Sequence, residues 1–137
     1  MTFQVIWKED STATVLGRIT ARNGTGTATG VRGEGNWIEQ VDVDTITWKM
    51  FDLSSDSPDA EISSGELTVS AVVLDIPISA NTIWTKDSVG YNFLHDVAAS
   101  NFPTGNHNYR LEYTVILVGG AKFHGIYEGL AAPLRSS

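Results

Sequence analysis

Three histidines and two groups of acids are the side chains in this sequence best suited to chemistry. His95 sits beside Asp96, with Ser88 a short way upstream, while His107 and His124 stand further along the chain. A nucleophile–imidazole–carboxylate set works only if the carboxylate orients the imidazole and an oxyanion hole faces the nucleophile. Neighbouring residues of a strand point to opposite faces, so His95 and Asp96 are badly placed to orient one another. Neither an oxyanion hole nor a strained nucleophile turn is visible. His95 therefore reads as a surface or half-buried histidine.

The acids crowd two places, Asp42 with Asp44, and Asp52, Asp56, Asp59 and Glu61. Calcium takes six to eight oxygens from a tightly folded loop, commonly with acids at alternate positions and a glycine at the bend. Here the acids are unevenly spaced, Pro58 interrupts them, and no glycine follows until Gly65. A solvated acidic loop fits that spacing better than a metal site. The expectation is a non-enzymatic protein with no catalytic residue, metal or cofactor.

Four tryptophans, Trp7, Trp37, Trp48 and Trp84, raise the question of carbohydrate, because exposed indoles can stack on sugar rings. Trp48 alternates with Ile46 and Met50 and belongs to a core face. Trp37 follows a glycine-rich stretch and Trp84 precedes Asp87, so each could sit at an end of the fold. Burial in a core or at a subunit interface is the commoner fate of tryptophan. Together with Phe3, Val5, Ile6 and Trp7 of the amino-terminal segment, Trp37 and Trp84 are the candidate interface residues.

The elements that must position these side chains are strands. Tyr109, Leu111, Tyr113, Val115 and Leu117 alternate with Arg110, Glu112 and Thr114, the period of a strand with one buried face. Gly119-Gly120 then predicts a two-residue type I′ turn, since both central positions of that turn need positive φ. Ala121, Phe123, Gly125 and Tyr127 alternate on the return. Upstream, strands are predicted over 12–21, 41–53, 67–78 and 90–97. The run 67–78 is apolar on both faces, as a central strand would be, and Pro77 closes it.

Residues 1–10 predict an edge strand or, alternatively, an arm added to a neighbouring subunit. Residues 23–36 form a long glycine-rich loop or a loose hairpin, and their glycines do not follow a strand into a helix, so no phosphate cradle is indicated. Residues 54–65 form an acidic turn region, and 98–100 allow one helical turn. No stretch sustains a 3.6-residue apolar repeat.

The chain has 137 residues, no cysteine and a formal net charge of −7. That length suits one domain able to bury its own core. The absence of cysteine excludes disulfides and thiolate metal sites and fits folding in a reducing cytosol. An acidic surface repels phosphate, so nucleic acid and anionic membrane are poor partners. MTFQVIWKED lacks the pattern of a signal peptide, and no apolar run approaches membrane-spanning length.

Strands punctuated by Gly, Pro, Asn and Ser predict a two-sheet antiparallel sandwich of about seven strands. Tyr91 and Tyr109 each open a strand just after a turn. A tyrosine whose hydroxyl bonds back to the turn it has left is the corner device of immunoglobulin-like sandwiches. The fold class expected is thus all-β, with an immunoglobulin-like sandwich over 11–137.

Trp84, Asp87 and Gly90-Tyr91-Asn92-Phe93, then Phe102-Pro103 with Gly105, then Tyr109-Arg110-Leu111-Glu112-Tyr113 form a recognisable layout. With the strand Gln40–Leu53 ahead of it, this layout resembles small immunoglobulin-like proteins encoded among the structural genes of tailed bacteriophages and prophages. The resemblance implies a virion structural protein, folded in the host cytoplasm and carried on the particle. Its foremost form would be a capsid decoration or cement subunit, a homo-oligomer bound to the major capsid protein or another virion protein. A neck, tail or baseplate module is the alternative, and a carbohydrate-binding host-recognition module is another.

Overall fold

The computed structural model describes residues 2–5, 12–21, 36–78, 84–86, 90–101 and 103–132. Among them are ten strands: β1 (Thr2–Val5), β2 (Ala13–Arg18), β3 (Thr20–Ala21), β4 (Asn36–Trp37), β5 (Val43–Asp52), β6 (Glu61–Leu67), β7 (Val73–Ile78), β8 (Tyr91–Val97), β9 (Asn108–Leu117) and β10 (Lys122–Leu130). One four-residue helical turn, α1 (Val69–Val72), joins β6 to β7. Two 3-10 turns cover Gln40–Asp42 and Ala99–Asn101.

Eight of these strands make two antiparallel sheets, ordered β1-β2-β8-β7 and β10-β9-β5-β6, and β3 and β4 form a separate ribbon. Lettering the eight strands A, B, C, C′, D, E, F and G in chain order turns those sheets into A-B-E-D and G-F-C-C′. That is the immunoglobulin-like arrangement with one added strand on the CFG sheet.

The core lies where the inner faces of the sheets meet. It holds Val15, Val73, Phe93 and Val97 from the first sheet and Ile46, Met50, Leu111, Tyr113 and Val115 from the second. β9 alternates strictly, with every odd residue from Tyr109 to Leu117 buried and every even one less so. The apolar spacing of the sequence maps directly onto this one-sided burial. Leu111 stands two residues beyond the corner tyrosine, where antibody domains place a cysteine; here apolar packing replaces the bridge.

Five expectations are corrected. The segment 67–78 is not one central strand. Leu67 ends β6 at the edge of one sheet, α1 crosses over, and β7 becomes an edge of the other. Its two-sided apolar character reflects the crossover, where Val72 and Val73 enter the core, and the edge position explains how Pro77 is accommodated. Pro77 does not end the pairing either, because Ile78 still opposes Tyr91.

Residues 61–65, read as loop, belong to β6. Segment 12–21 divides at Ile19, where β2 gives way to β3, which pairs with β4 through Thr20↔Trp37. The buried Asn92 stabilises this break: its side-chain Oδ1 accepts from Ile19 N–H at 2.7 Å, and its Nδ2 donates to the carbonyls of Ile19 and Ile38.

The β9–β10 connection is a three-residue loop. Gly120 N–H donates to Leu117 O and Leu117 N–H to Ala121 O, both at 2.8 Å. Of its two glycines only Gly120 has positive φ, at 93°. This is a turn followed by a bulge glycine rather than a type I′ pair, so a single left-handed residue suffices. Residues 2–5 pair with their own sheet, from Thr2↔Arg18 to Val5↔Val15. Most of the glycine-rich loop, 22–35, lies outside the described residues.

Candidate functional site

Each histidine has a local structural partner. His95 points inward from β8, 8% exposed, and its Nδ1 lies 2.7 Å from the Tyr113 hydroxyl on the facing sheet. Its ring centroid is 5.6 Å from that of Trp48 and 5.7 Å from that of Tyr113. Burial lowers the imidazole pKa to about 4 against the raising effect of Asp96, and burial pushes the Tyr113 phenol well above its ordinary value. Both groups are neutral at pH 7, sharing one hydrogen bond across the core. Asp96 projects from the other face of β8, where it accepts from the Thr14 hydroxyl at 2.7 Å.

His107 meets Asp52 through Nδ1 at 2.8 Å. Asp52 Oδ1 accepts from Ser54 N–H, the Ser55 hydroxyl donates to Asp52 O, and Asn108 N–H donates to the Ser54 hydroxyl. This network ties the β5–β6 turn to the start of β9. The corner itself is made by Tyr109, whose hydroxyl accepts from Thr104 N–H at 3.0 Å and donates to Thr104 O at 3.1 Å. Tyr91 packs against Trp84, with ring centroids 5.9 Å apart, and the turn that precedes it, 87–89, lies outside the described residues. His124, on β10, is exposed beside the Thr114 hydroxyl at 3.0 Å.

The acids disperse. Asp52 faces His107, Asp42 accepts from Glu39 N–H at 3.0 Å, and Asp44, Asp56, Asp59 and Glu61 face solvent. Among the described residues no three acids or histidines gather as a metal site would require.

The candidate interface residues also separate. Phe3 and Val5 are half-buried against the core, with the Phe3 ring 5.9 Å from Tyr113 and 6.1 Å from Tyr127. Ile6 and Trp7 lie outside the described residues, and of Trp37 the backbone alone is described. Trp84 takes the buried alternative and not the exposed end, and it is buried within the chain itself. At 5% exposure it packs with Leu16, Tyr91, Leu74 and Leu94 in a small second core. Leu16 and Leu94 are register partners that alternate with the inward Val15 and His95, so this cluster lies on the outer side of the first sheet. An indole buried there has no face for a sugar and almost no area for a partner.

Open to a partner are the outer face of the second sheet and, among the described residues, its β10 edge; Ile76 and Ile78 on β7 and Ile62 on β6 are exposed as well. Arg110 reaches Glu112 through Nε at 2.5 Å and Glu128 through Nη1 at 2.6 Å. Those two carboxylates raise its pKa further. Beside it, Phe51, Leu53, Pro58 and Asp59 complete a shallow depression of about 350 Å³.

Apolar side chains emerge nearby, with Ile126 48% and Leu130 53% exposed on β10. At the far end of the sandwich Val41 and Val118 are exposed, joined through the Val118 N–H bond to Asp42 O. Sequence reasoning missed these residues. The signal was present in β10, where Ile126 and Leu130 fall in the polar register of Lys122, His124 and Glu128.

Comparison with protein-family models, with characterised proteins and with solved structures finds no match to this chain.

Proposed function

We propose that this chain is a non-enzymatic virion structural protein of a tailed phage, acting as a capsid decoration or cement subunit through contacts with its own copies and with the shell. The observation that carries the reading is the division of labour among side chains. His95 and His107, the groups closest to catalysis by type, hold the scaffold together through Tyr113 and Asp52. The side chains presented to solvent at one sheet edge and one sandwich end include Ile126, Leu130, Val41 and Val118. A stiff body with apolar side chains at its margins is what a particle accessory needs. The resemblance of the Trp84–Tyr113 layout to phage structural proteins points the same way, and the burial of Trp84 takes away one of the two platforms on which a sugar-binding role would depend.

The test is co-sedimentation with particles of the phage that encodes the protein, using separated heads and tails. Binding to heads is the expected result. Binding to tails alone would move the assignment to a neck or tail module, and a protein left in the supernatant by both would end the virion reading.

A further inference from the structure

Sheet edges are liabilities that folded proteins blunt with proline, bulges, charge or brevity. Of the four edges of the two main sheets, three are blunted among the described residues. β1 has four residues. β7 contains Pro77, and its register with β8 is broken between Val73 and Ile78. β6 pairs across a bulge at Met50/Phe51 and carries two acids, Glu61 and Glu66, with no base, so two copies would bring four like charges together. β10 differs. It is nine residues long, proline-free, and in unbroken register with β9 from Lys122↔Ile116 to Leu130↔Asn108.

Hydrogen bonding decides which residues this edge presents. Leu117 bonds to Ala121, and bonded pairs alternate along an antiparallel ladder. Phe123, Gly125, Tyr127 and Gly129 therefore bond toward β9. The other edge of β9 agrees, since Leu53 N–H donates to Asn108 O. Lys122, His124, Ile126, Glu128 and Leu130 consequently aim their N–H and C=O groups away from the sheet, with their side chains exposed.

We propose that β10 is a self-association edge, pairing antiparallel with β10 of a second copy about a two-fold axis at Ile126. The pattern of exposed side chains is self-complementary about that residue. Ile126 meets its own copy, His124 faces Glu128, and the alkyl stem of Lys122 covers Leu130, each contact occurring twice. The two apolar residues left in solvent on this strand are covered, and neither acids nor bases face their own kind. The result is one continuous eight-stranded sheet. A contact of this size is small beside standard interfaces, so a concentration-dependent monomer–dimer equilibrium is expected. The inference rests on the scaffold reading above in that it names the partner for one of its surfaces.

Sedimentation velocity across a concentration series tests it, with two variants. Ile126 N–H faces away from β9, so Ile126→Pro removes no intrachain bond yet blocks pairing; Ile126→Lys places two charges on the axis. Both are expected to be monomeric where the parent dimerises, with unchanged circular dichroism. Because the chain has no cysteine, Ile126→Cys should oxidise to a linked dimer, the paired Cα atoms lying about 5.5 Å apart. A parent monomeric at every concentration would overturn the proposal. So would folded Pro and Lys variants as dimeric as the parent. Dimers that ignore particles would refute the virion role and leave this interface standing; monomers that bind particles would do the reverse.

Discussion

His95 and Tyr113 form a neutral polar pair inside an otherwise apolar core, and their contribution is sensitive to acid. With the folded imidazole at about 4 and the ordinary value at 6.5, the unfolded chain binds the extra proton between those limits. Stability from the neutral ring is complete above pH 6.5 and lost as pH falls toward 4, by at most about 3 kcal/mol. Urea unfolding at stepped pH should show this slope, and His95→Gln should flatten it. Tyr113→Phe leaves Nδ1 of His95 without its partner and should cost about 1–3 kcal/mol. Replacing both residues by Phe should recover part of that loss, because no buried polar atom is then stranded. Tyr109→Phe removes both bonds to Thr104 and should cost about 1–2 kcal/mol in the same assay. The corner tyrosine was legible from its place after Pro103 and Gly105. The His95–Tyr113 bond was not, because it joins opposite sheets and depends on how they are layered.

At the scale of elements, two glycines with different reasons for being glycine offer a clean contrast. Gly120 has φ of 93° and open space around a would-be Cβ, so Gly120→Ala suffers from backbone strain alone, about 1 kcal/mol. Gly119→Ala, with open space and no positive φ, should leave the melting temperature nearly unchanged. Gly65 is constrained by contact: it opposes Trp48 across β5–β6, and a Cβ would lie 2.8 Å from the indole nitrogen. Trp48 is backed by His95, so Gly65→Ala should destabilise by about 1–3 kcal/mol. The β9–β10 hairpin was readable from alternation and its Gly-Gly signal, although the turn type was not. Both turns contain glycine, and the choice between them depends on which ladder bonds close. β6 was hidden because Ser63, Ser64 and Gly65 have weak strand character; they pair because β5 offers an edge.

At the scale of the whole molecule, the two sheets share one core, and the Tyr109 corner fixes the connection by which the chain passes from β8 in one to β9 in the other. Unfolding should therefore be a single transition, with tryptophan fluorescence and far-ultraviolet circular dichroism tracing coincident curves in urea. Separate transitions would mean that the sheets are independently stable, contrary to the packing of Tyr113 against Phe3 and Phe93. The second small core around Trp84 covers the outer side of the β1-β2-β8-β7 sheet. The outer face of the other sheet carries the Arg110 ion pairs, and among the described residues no strand pairs with the far edge of β10, so the two sheets offer a partner different surfaces.

The sequence by itself determined the all-β class, the cysteine-free acidic body, the inward residues of β5 and β9, and the corner at Tyr109. Each of these follows from local periodicity, turn chemistry or composition, which are properties of neighbouring residues. Tertiary structure alone decided that 67–78 changes sheets, that Trp84 is buried, that His95 bonds Tyr113, and that β10 is the edge left unblunted. Those outcomes depend on which strand lies beside which, and strand order is set by packing between segments far apart in the chain.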